Sequence, residues 1–447
     1  MSNPPLPDVR AARLSAQDYA LRFADATPAL TPGQALLEAE RCLYCFDAPC
    51  ATACPTSIDV PAFIRRIADG NLRGAARTIL ESNPLGGMCA RVCPTETLCE
   101  QVCVRATQEG KPVSIGRLQR YAVDALMASD RPQVFSRANA TGKKVAVVGA
   151  GPAGMACAYT LARNGHSVEV FDAKPKAGGL NEYGLASYKT TGNFAQRELQ
   201  WLLAIGGIEV HNNWKLATAA QLDALRAQYD AVFLGLGLAS TQQLGLPGEN
   251  LQGVEDAVDF IARLRQASDL ATLPIGRRVV VIGGGMTAVD AAVQSKKLGA
   301  ERVTMVYRRG ASDMGASGHE QAWALENGVH IHHWATPLEV LAEAGAVCGV
   351  RFAGTRMEGG KLVTGSEEFT VDADMVLKAI GQSPDAQPLG TLVELRQGRI
   401  VADAQQRTTH AKVWAGGDCC HGGRDLTVEA VEHGKVAAQS IHQALSA

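Results

Sequence analysis

A buried strand, a glycine-rich turn and a helix follow one another twice in this sequence, and this repeat constrains the fold more than any other feature. The first copy reads KVAVVGAGPAGMACAYTLARNG and the second RRVVVIGGGMTAVDAAVQSKKLG. Each continues into a second strand, SVEVFDA or RVTMVYRRG. Strands that alternate with helices pair in parallel and are covered by helices. The sequence therefore predicts an α/β fold with two Rossmann-like domains.

The first glycine turn has the spacing of a dinucleotide-binding site. Gly149, Gly151 and Gly154 form G-x-G-x-x-G directly after the strand. Glycines there permit a tight turn, close approach of a pyrophosphate and close helix packing. Pro152 and Ala153 begin the helix, whose N-terminal amides would face the phosphates. We expect a bound dinucleotide, with a tight turn lacking any ligand as the structural alternative.

An acidic residue follows the second strand of this first copy. Asp172 lies 23 residues after Gly149, where a carboxylate can bind the ribose hydroxyls. Glu169 is the competing acid, but its place in mid-strand favours a solvated edge. We therefore assign the ribose to Asp172.

The second glycine turn repeats the pattern with alanine at the third position. Gly283, Gly285 and Ala288 carry the spacing, and Met286 and Thr287 lie between them. We expect all five residues to bind a second dinucleotide. At the end of the next strand, the position of Asp172 in the first copy, this copy has two arginines, Arg308 and Arg309. Guanidinium groups suit a 2′-phosphate, so NADPH is favoured over NADH, with a solvated basic turn as the alternative.

Charge and hydrophobicity exclude several classes of protein. Forty-three basic and 45 acidic residues leave a formal charge of −2, so phosphate neutralisation on nucleic acid is not expected. Apolar residues make up 46% and charged residues 20%, which argues against disorder. The apolar runs are too short to span a membrane, and MSNPPLPDVR lacks the pattern of a signal peptide. We expect a cytoplasmic protein.

Eight of the 12 cysteines lie between Cys42 and Cys103. They form two groups, spaced C-x2-C-x4-C-x3-C-P and C-x3-C-P-x4-C-x3-C. In a reducing compartment such groups indicate metal or redox chemistry. Two [4Fe-4S] clusters explain the count and the two Cys-Pro pairs, and paired structural zinc sites are the alternative. The adjacent Cys419 and Cys420 are interpreted as packing residues.

The end of the sequence returns to the first domain. Val413 to Asp418 reads VWAGGD and precedes a helix; such a pair, here Gly417 and Asp418, is an arrangement that holds the ribityl and pyrophosphate groups of a flavin. On these motifs, residues 143–447 resemble the two-dinucleotide-binding flavoproteins of the glutamate synthase small-subunit type. The resemblance implies an FAD domain split by an inserted NAD(P)H domain. GGLNEYGLASYKT also matches, placing Gly179, Leu180 and the cation of Lys189 near the flavin.

The cysteine segment resembles the N-terminal iron–sulfur domain of dihydropyrimidine dehydrogenase, through CLYCFDAPCATACPT, NPLGGMCARVCPTETLCEQVC and IGRLQRYA. The resemblance implies one [4Fe-4S] cluster on Cys42, Cys45, Cys50 and Cys103. It implies a second on Cys54, Cys93, Cys99 and the side-chain amide of Gln119, with Cys89 near that cluster as a non-ligand. The alternative for Gln119 is an exposed helix residue. His319, Glu320 and the histidines at 330, 332 and 333 are interpreted as surface or strand residues.

Taken together, these stretches resemble the electron-input subunit of bacterial dihydropyrimidine dehydrogenases. The expected domains are a helical domain with two [4Fe-4S] clusters (1–140), the FAD domain (141–254 and 381–447) and the NAD(P)H domain (255–380). Because the sequence ends after the flavin domain, the pyrimidine is expected on an FMN-containing partner in a hetero-oligomer. FAD is the redox centre, and no catalytic side chain is assigned. The alternatives are a glutamate synthase small subunit, serving a large amidotransferase chain, and a non-catalytic zinc scaffold.

Overall fold

The computed structural model describes residues 9–10, 13–385, 387–390 and 392–446. Residues 1–8, which contain most of the segment judged to lack a signal peptide, lie outside the described residues, as does residue 447, the chain end on which the subunit expectation relied. The described chain divides into two compact units. Unit 1 comprises residues 1–26, 183–191 and 241–382, and unit 2 comprises residues 27–182, 192–240 and 383–447.

The helices begin where the sequence supplies caps. Ser15, Thr31 and Thr218 each accept a bond from the third backbone N–H of the helix that they precede, within a capping box. The described helices are α1 (Ala16–Arg22), α2 (Pro32–Glu40), α3 (Pro49–Thr52), α4 (Val60–Ala68), α5 (Leu72–Ser82), α6 (Gly86–Val92), α7 (Val104–Glu109), α8 (Ile115–Met127), α9 (Pro152–Arg163), α10 (Leu180–Tyr183), α11 (Phe194–Leu203), α12 (Ala219–Gln228), α13 (Ala257–Gln266), α14 (Met286–Leu298), α15 (Gly318–Glu326) and α16 (Thr427–Ser446).

The strands of the two parallel sheets are short, at three to six residues, whereas the antiparallel strands reach 13 residues. The described strands are β1 (Val9–Arg10), β2 (Lys144–Val148), β3 (Ser167–Phe171), β4 (Ile208–His211), β5 (Ala231–Leu234), β6 (Ser240–Thr241), β7 (Val254–Asp256), β8 (Ile275–Gly276), β9 (Arg278–Ile282), β10 (Arg302–Tyr307), β11 (Val329–His333), β12 (Ala335–Glu343), β13 (Ala346–Glu358), β14 (Lys361–Asp372), β15 (Met375–Lys378), β16 (Gln382–Ser383), β17 (Leu395–Arg396), β18 (Arg399–Ile400) and β19 (Val413–Ala415).

Unit 2 contains a five-stranded parallel sheet in the order β19-β5-β2-β3-β4. The last strand of the chain, β19, pairs with β5, so residues near the C-terminus complete the sheet that begins at β2. One continuous apolar core joins this sheet to the cysteine-rich helices; Phe63, Ile79, Leu118, Val147 and Leu161 belong to it. The cysteine segment and the first fingerprint therefore fold as one body.

Unit 1 contains a second five-stranded parallel sheet, in the order β11-β10-β9-β15-β7. The antiparallel strands β12, β13 and β14 form a separate three-stranded sheet in the same unit. Two parallel-sheet units confirm the predicted α/β class with two Rossmann-like folds. None of the helices in the described part of the chain is both long enough and apolar enough to cross a bilayer.

Candidate functional site

The first fingerprint, in unit 2, is built so tightly that two of its glycines leave no room for a side chain. Gly149 has φ +102°, and a Cβ there would lie 2.1 Å from the carbonyl oxygen of Gly235. A Cβ on Gly154 would lie 1.8 Å from the carbonyl oxygen of Gly149. Gly151 differs, because a Cβ there would meet only the Cα of Gly179, at 3.8 Å. The space beside Gly151 fits the approach of a pyrophosphate at the N-terminus of α9.

Asp172 lies directly after β3 and is buried. Its Oδ2 accepts the N–H of Ala150 at 2.6 Å and its Oδ1 accepts the N–H of Lys174 at 2.8 Å. A carboxylate has about four acceptor positions, so these two bonds leave capacity for ribose hydroxyls. Glu169 is not at a solvated edge, because it is half-buried and accepts bonds from Tyr229 (2.8 Å) and His211 (3.2 Å).

The C-terminal Gly-Asp pair lies against the first fingerprint. A Cβ on Gly417, which has φ +91°, would lie 3.3 Å from the Cβ of Ala153, at the first turn of α9. Gly434 of α16 packs so closely that its Cβ would lie 2.1 Å from the carbonyl oxygen of Ala153. Burial, and then the neighbouring Asp425, raise the pKa of Asp418 to about 6. Two distant segments therefore form one dinucleotide site.

A polar contact that the sequence did not reveal lies beside this site. Gly179 has φ +54° and its Cβ would lie 2.7 Å from the Cα of Gly151, so the Gly179–Leu180 turn runs past the fingerprint. Asn181 is buried, and its Oδ1 accepts a bond from the Thr427 hydroxyl at 3.1 Å. This bond fastens the turn to the start of α16. Asn181 belongs to the matching stretch GGLNEYGLASYKT, but nothing in the sequence pairs it with Thr427.

The second fingerprint, in unit 1, has the same backbone demand at its first glycine. Gly283 has φ +146°, and a Cβ there would lie 2.2 Å from the carbonyl oxygen of Ala379. A Cβ on Gly285 would meet nothing within 4 Å, which leaves room for phosphates. Met286 and Thr287 are half-buried in the first turn of α14, and Ala288 is fully buried behind them.

The two arginines lie after β10, in unit 1. Arg308 is exposed, whereas Arg309 is half-buried. Among the described residues, the Nε of Arg309 is buried and has no hydrogen-bond partner. A buried guanidinium N–H without an acceptor fits an anionic ligand such as a phosphate.

Lys189 belongs to unit 1 and is held by two carboxylates. Its Nζ lies 2.8 Å from Asp290 Oδ1 and 2.7 Å from Glu320 Oε1. These carboxylates outweigh burial and raise the pKa of Lys189. Glu320 is 15% exposed, so its interpretation as a surface residue is wrong, because the bond to Lys189 holds it inward. His319, His330 and His332 are exposed, as expected.

The first predicted cluster set surrounds one cavity in unit 2. The space among these cysteines measures about 380 Å³ when the open solvent at its mouth is included. Its walls are apolar apart from Arg105 and the sulfur atoms of all four predicted ligands, Cys42, Cys45, Cys50 and Cys103. Burial raises the pKa of Cys42, and raises that of Cys50 to about 11, so metal binding would displace protons from the thiols.

The cysteines of the second predicted set are half-buried, like those of the first. Burial raises the pKa of Cys99, and the thiols of Cys50 and Cys54 act on it in the same sense. The pKa of Cys93 is raised by a hydrogen bond with Cys89, by burial, and by the charges of Cys99 and Cys54. These electrostatic interactions indicate that the three predicted cysteine ligands of the set lie near one another, with Cys89 beside Cys93.

Gln119 is also buried, at 7% exposure, which contradicts the alternative of an exposed helix residue. Its Nε2 donates to the Gly86 carbonyl at 2.7 Å. The amide nitrogen is thereby engaged, and Oε1 is the atom suited to bind iron.

The donor arrangement fits iron–sulfur clusters. Among the described residues, no three His, Cys, Asp or Glu side chains converge on a single metal-ion position. In a [4Fe-4S] cluster each ligand binds a different iron, so the ligands surround a cavity instead of meeting at one point. The sulfur-lined cavity of the first set has that form.

Two protein families match the chain. Residues 143–434 match the family described as pyridine nucleotide-disulphide oxidoreductase, and residues 20–131 match dihydropyrimidine dehydrogenase domain II, 4Fe-4S cluster. These matches confirm the predicted cofactor classes, FAD with NAD(P)H in the first range and iron–sulfur in the second. That there are two clusters remains a prediction.

Three curated relatives illustrate the similarity. The putative oxidoreductase AegA of Escherichia coli is 38% identical over 91% of this chain, which spans 65% of that protein. The NAD-dependent dihydropyrimidine dehydrogenase subunit PreT of Salmonella typhimurium is 36% identical, covering 94% of this chain and 96% of its own length. The glutamate synthase [NADPH] small chain of Escherichia coli is 36% identical, covering 94% and 93%.

Solved structures share the fold at lower identity. Mycobacterium tuberculosis FprA in complex with NADPH superposes with a TM-score of 0.57 at 17% identity, covering 68% of this chain and 85% of its own. Thioredoxin reductase of T. acidophilum gives 0.54 at 22% identity, covering 68% and 100%. At these identities the likeness concerns the fold alone.

Proposed function

This chain belongs to the pyridine nucleotide-disulphide oxidoreductase family, and from that premise we propose that it is the electron-input subunit of a dihydropyrimidine dehydrogenase. It takes electrons from NADPH through FAD and two [4Fe-4S] clusters to a partner chain that reduces uracil or thymine to the 5,6-dihydropyrimidine. The observation that carries the proposal is the cavity lined by Cys42, Cys45, Cys50 and Cys103, in the same unit as the flavin fingerprint. That combination is typical of an electron relay.

The residues of this chain bind and orient the redox groups. The N-terminal amides of α9 hold the FAD pyrophosphate, Asp172 takes the ribose, and the Gly417–Asp418 turn completes the site. FAD, when bound, supplies the exchange between hydride transfer and single-electron transfer. In unit 1 the start of α14 holds the nicotinamide dinucleotide. No side chain is required as an acid or base.

The nicotinamide dinucleotide is assigned as NADPH because of Arg308 and Arg309. The relatives' names differ on this point, since one is called NAD-dependent and another NADPH. The Nε of Arg309, buried and without an acceptor among the described residues, favours the dinucleotide that carries a 2′-phosphate. NADH remains the alternative if neither guanidinium contacts the ribose.

The partner is proposed to be the FMN-containing catalytic subunit of a dihydropyrimidine dehydrogenase. Two relatives are named as a subunit or a small chain, so a hetero-oligomer is expected. Leu43, Phe46 and Val102 are exposed and each lies next to a cysteine of the first set in sequence. An exposed apolar edge beside an electron carrier suits a protein surface that accepts the electrons.

A second candidate is the small subunit of glutamate synthase. The 36% identity to such a chain extends over 94% of this sequence, and it would use the same cofactors with a large amidotransferase chain as partner. The two candidates differ only in the partner and the final acceptor.

Anaerobic affinity purification of the chain from its native cells, with the co-purifying protein identified by mass, tests the proposal. An FMN-containing partner together with uracil-dependent NADPH oxidation is the expected result. A large amidotransferase partner with glutamine-dependent NADPH oxidation would contradict the pyrimidine assignment and favour the second candidate. A purified chain without flavin or iron–sulfur absorbance would leave only the zinc scaffold.

A further inference from the structure

A fully buried glutamate, Glu198, lies on α11 where no motif indicates one. Its Oε1 accepts the N–H of Gly87 at 2.7 Å and that of Met88 at 3.1 Å, and its Oε2 accepts the Met88 N–H at 3.2 Å. The side chain is 0% exposed, and burial raises its pKa to about 8. A buried carboxyl group is costly unless its bonds serve the fold or the function, so these contacts require an explanation.

The peptide group between Gly86 and Gly87 connects Glu198 to Gln119. Its N–H donates to Glu198 Oε1 at 2.7 Å, and its carbonyl oxygen accepts from Gln119 Nε2 at 2.7 Å. Hydrogen bonds in such a chain polarise one another. Above its pKa of about 8, the negative charge on Glu198 makes the Gly86 carbonyl a stronger acceptor, and the strengthened bond shifts electron density in the Gln119 amide towards Oε1.

Two adjacent glycines permit this connection. A Cβ on Gly86 would lie 2.6 Å from Ile79 Cγ2, and a Cβ on Gly87 would lie 2.5 Å from the Phe194 ring and 2.7 Å from Glu198 Oε1. Any side chain at either position would displace the peptide from one of its two partners. The Gly-Gly pair is therefore required by close contact and not by a turn.

Two charged groups on the neighbouring helices complete the surroundings of Glu198. Arg91 of α6 lowers the pKa of Glu198, and Asp124 of α8 raises it. Arg91 is itself held, bonding Asp124 at 2.7 and 2.8 Å and stacking 3.4 Å above the ring of Phe194. The peptide, the glutamate and these two charges are thus fixed relative to one another.

We propose that Glu198 is a positioning residue for Gln119, holding the Gly86–Gly87 peptide so that the Gln119 amide keeps its orientation and its oxygen is a stronger iron ligand. Partners of a metal ligand commonly orient it and raise its basicity in this way. The proposal rests on the proposed function, because it requires Gln119 to bind a cluster.

The test compares anaerobically purified, full-length variants by iron content per flavin, by the EPR spectrum of the reduced protein and by the midpoint potential of the cluster. At about pH 9, where Glu198 is ionised, Glu198→Gln removes the charge and keeps the shape. It is expected to retain iron and flavin, to change the EPR signal of one cluster and to raise its potential. The control is Glu169→Gln, which replaces a half-buried carboxylate of the same unit. It should change neither the EPR signal nor the midpoint potential.

A second background separates the hydrogen-bonded connection from Glu198 to Gln119 from a simple effect of charge. In Gln119→Cys this connection no longer ends on an amide, so the potential shift caused by Glu198→Gln should fall by more than half. An equal shift in both backgrounds, or no shift in either, overturns the proposed connection. If Glu198→Gln fails to load its clusters, Glu198→Asp should restore loading; equal failure of both variants also overturns it.

The same measurements identify a failure of the proposed function. An EPR spectrum that Gln119→Cys leaves unchanged would show that Gln119 is not a ligand, and a wild-type chain without iron would remove the clusters altogether. In either case the cluster assignment fails before the role of Glu198 is reached.

Discussion

The two glycine fingerprints share a backbone and differ in the charges around it. In each, the first glycine has a positive φ and faces a carbonyl oxygen, at 2.1 Å from the Cβ position for Gly149 and 2.2 Å for Gly283. In unit 2 a buried carboxylate, Asp172, follows the next strand, whereas in unit 1 the exposed Arg308 stands at that point. The two sites thus share a backbone requirement, and we propose that the residue after the second strand selects the dinucleotide.

The largest expected effect is the loss of one bound dinucleotide when one fingerprint is disrupted and the other is left intact. Gly149→Ala forces a Cβ against the Gly235 carbonyl in a left-handed conformation, at a cost of about 3 kcal/mol or more. We expect a protein without flavin. Gly283→Ala meets the same obstacle in unit 1, and we expect it to retain flavin that NADPH no longer bleaches. Flavin absorbance and its anaerobic bleaching measure both.

Each of these variants has a control in its own unit. A Cβ on Gly33 in unit 2 or on Gly318 in unit 1 would meet nothing within 4 Å. Gly33→Ala and Gly318→Ala should therefore keep both the flavin and its bleaching. Loss of flavin in Gly283→Ala would show that the two fingerprints do not act separately.

A smaller effect tests Asp418, the half-buried acid of the Gly-Asp pair in unit 2. The pKa of Asp418 is about 6 against an ordinary value of 3.8, so the folded state binds the proton more tightly than the unfolded state does. Stability is therefore lost as pH rises from 3.8 to about 6, and the penalty persists above that pH. Asp418→Asn should raise the free energy of unfolding at about pH 8 by on the order of 2–3 kcal/mol, and change it little at about pH 4.

Urea denaturation of the variant and the wild type at both pH values measures this difference. Asp223→Asn replaces an exposed carboxylate of the same unit and serves as the control. A gain of equal size at both pH values would mean that burial of the charge is not the cause.

The sequence predicted the parts of this molecule that the backbone dictates. A glycine at Gly149 or Gly283 is required by its conformation, and the cysteines around the cavity have the spacing predicted for iron ligands, so both are visible in the sequence. Glu198, in contrast, meets Gly87 from 111 residues away. No local pattern predicts such a contact, because the sequence around Glu198 gives no sign that this helix position is buried.

The interpretation of Glu320 failed for the same reason. Its partner Lys189 lies 131 residues away, and the sequence shows only an acid in the first turn of an amphipathic helix. Predictions from spacing therefore recover the redox groups, whereas the residues that surround and tune them emerge only when distant segments meet.

The preference for a phosphorylated dinucleotide is expected to change by about tenfold, or about 1.4 kcal/mol, when its cations are removed. Arg308→Ala with Arg309→Ala should lower kcat/KM for NADPH and leave that for NADH unaltered, because NADH lacks the 2′-phosphate. Arg302, exposed at the other end of β10, provides the control Arg302→Ala. An unchanged ratio between the two dinucleotides would refute the assignment of the arginines.

The smallest expected effect on stability concerns the second glycine of each fingerprint. A Cβ on Gly151 would meet only Gly179 Cα at 3.8 Å, one on Gly285 would meet nothing within 4 Å, and neither residue has a positive φ. Gly151→Ala and Gly285→Ala should therefore raise the free energy of unfolding by about 0.4–1 kcal/mol. Each methyl group nevertheless enters the space for a pyrophosphate, so flavin retention should fall in the first variant and NADPH binding in the second. Higher stability with lower affinity separates a glycine required by the ligand from one required by the fold, and lower stability in either variant would contradict the comparison.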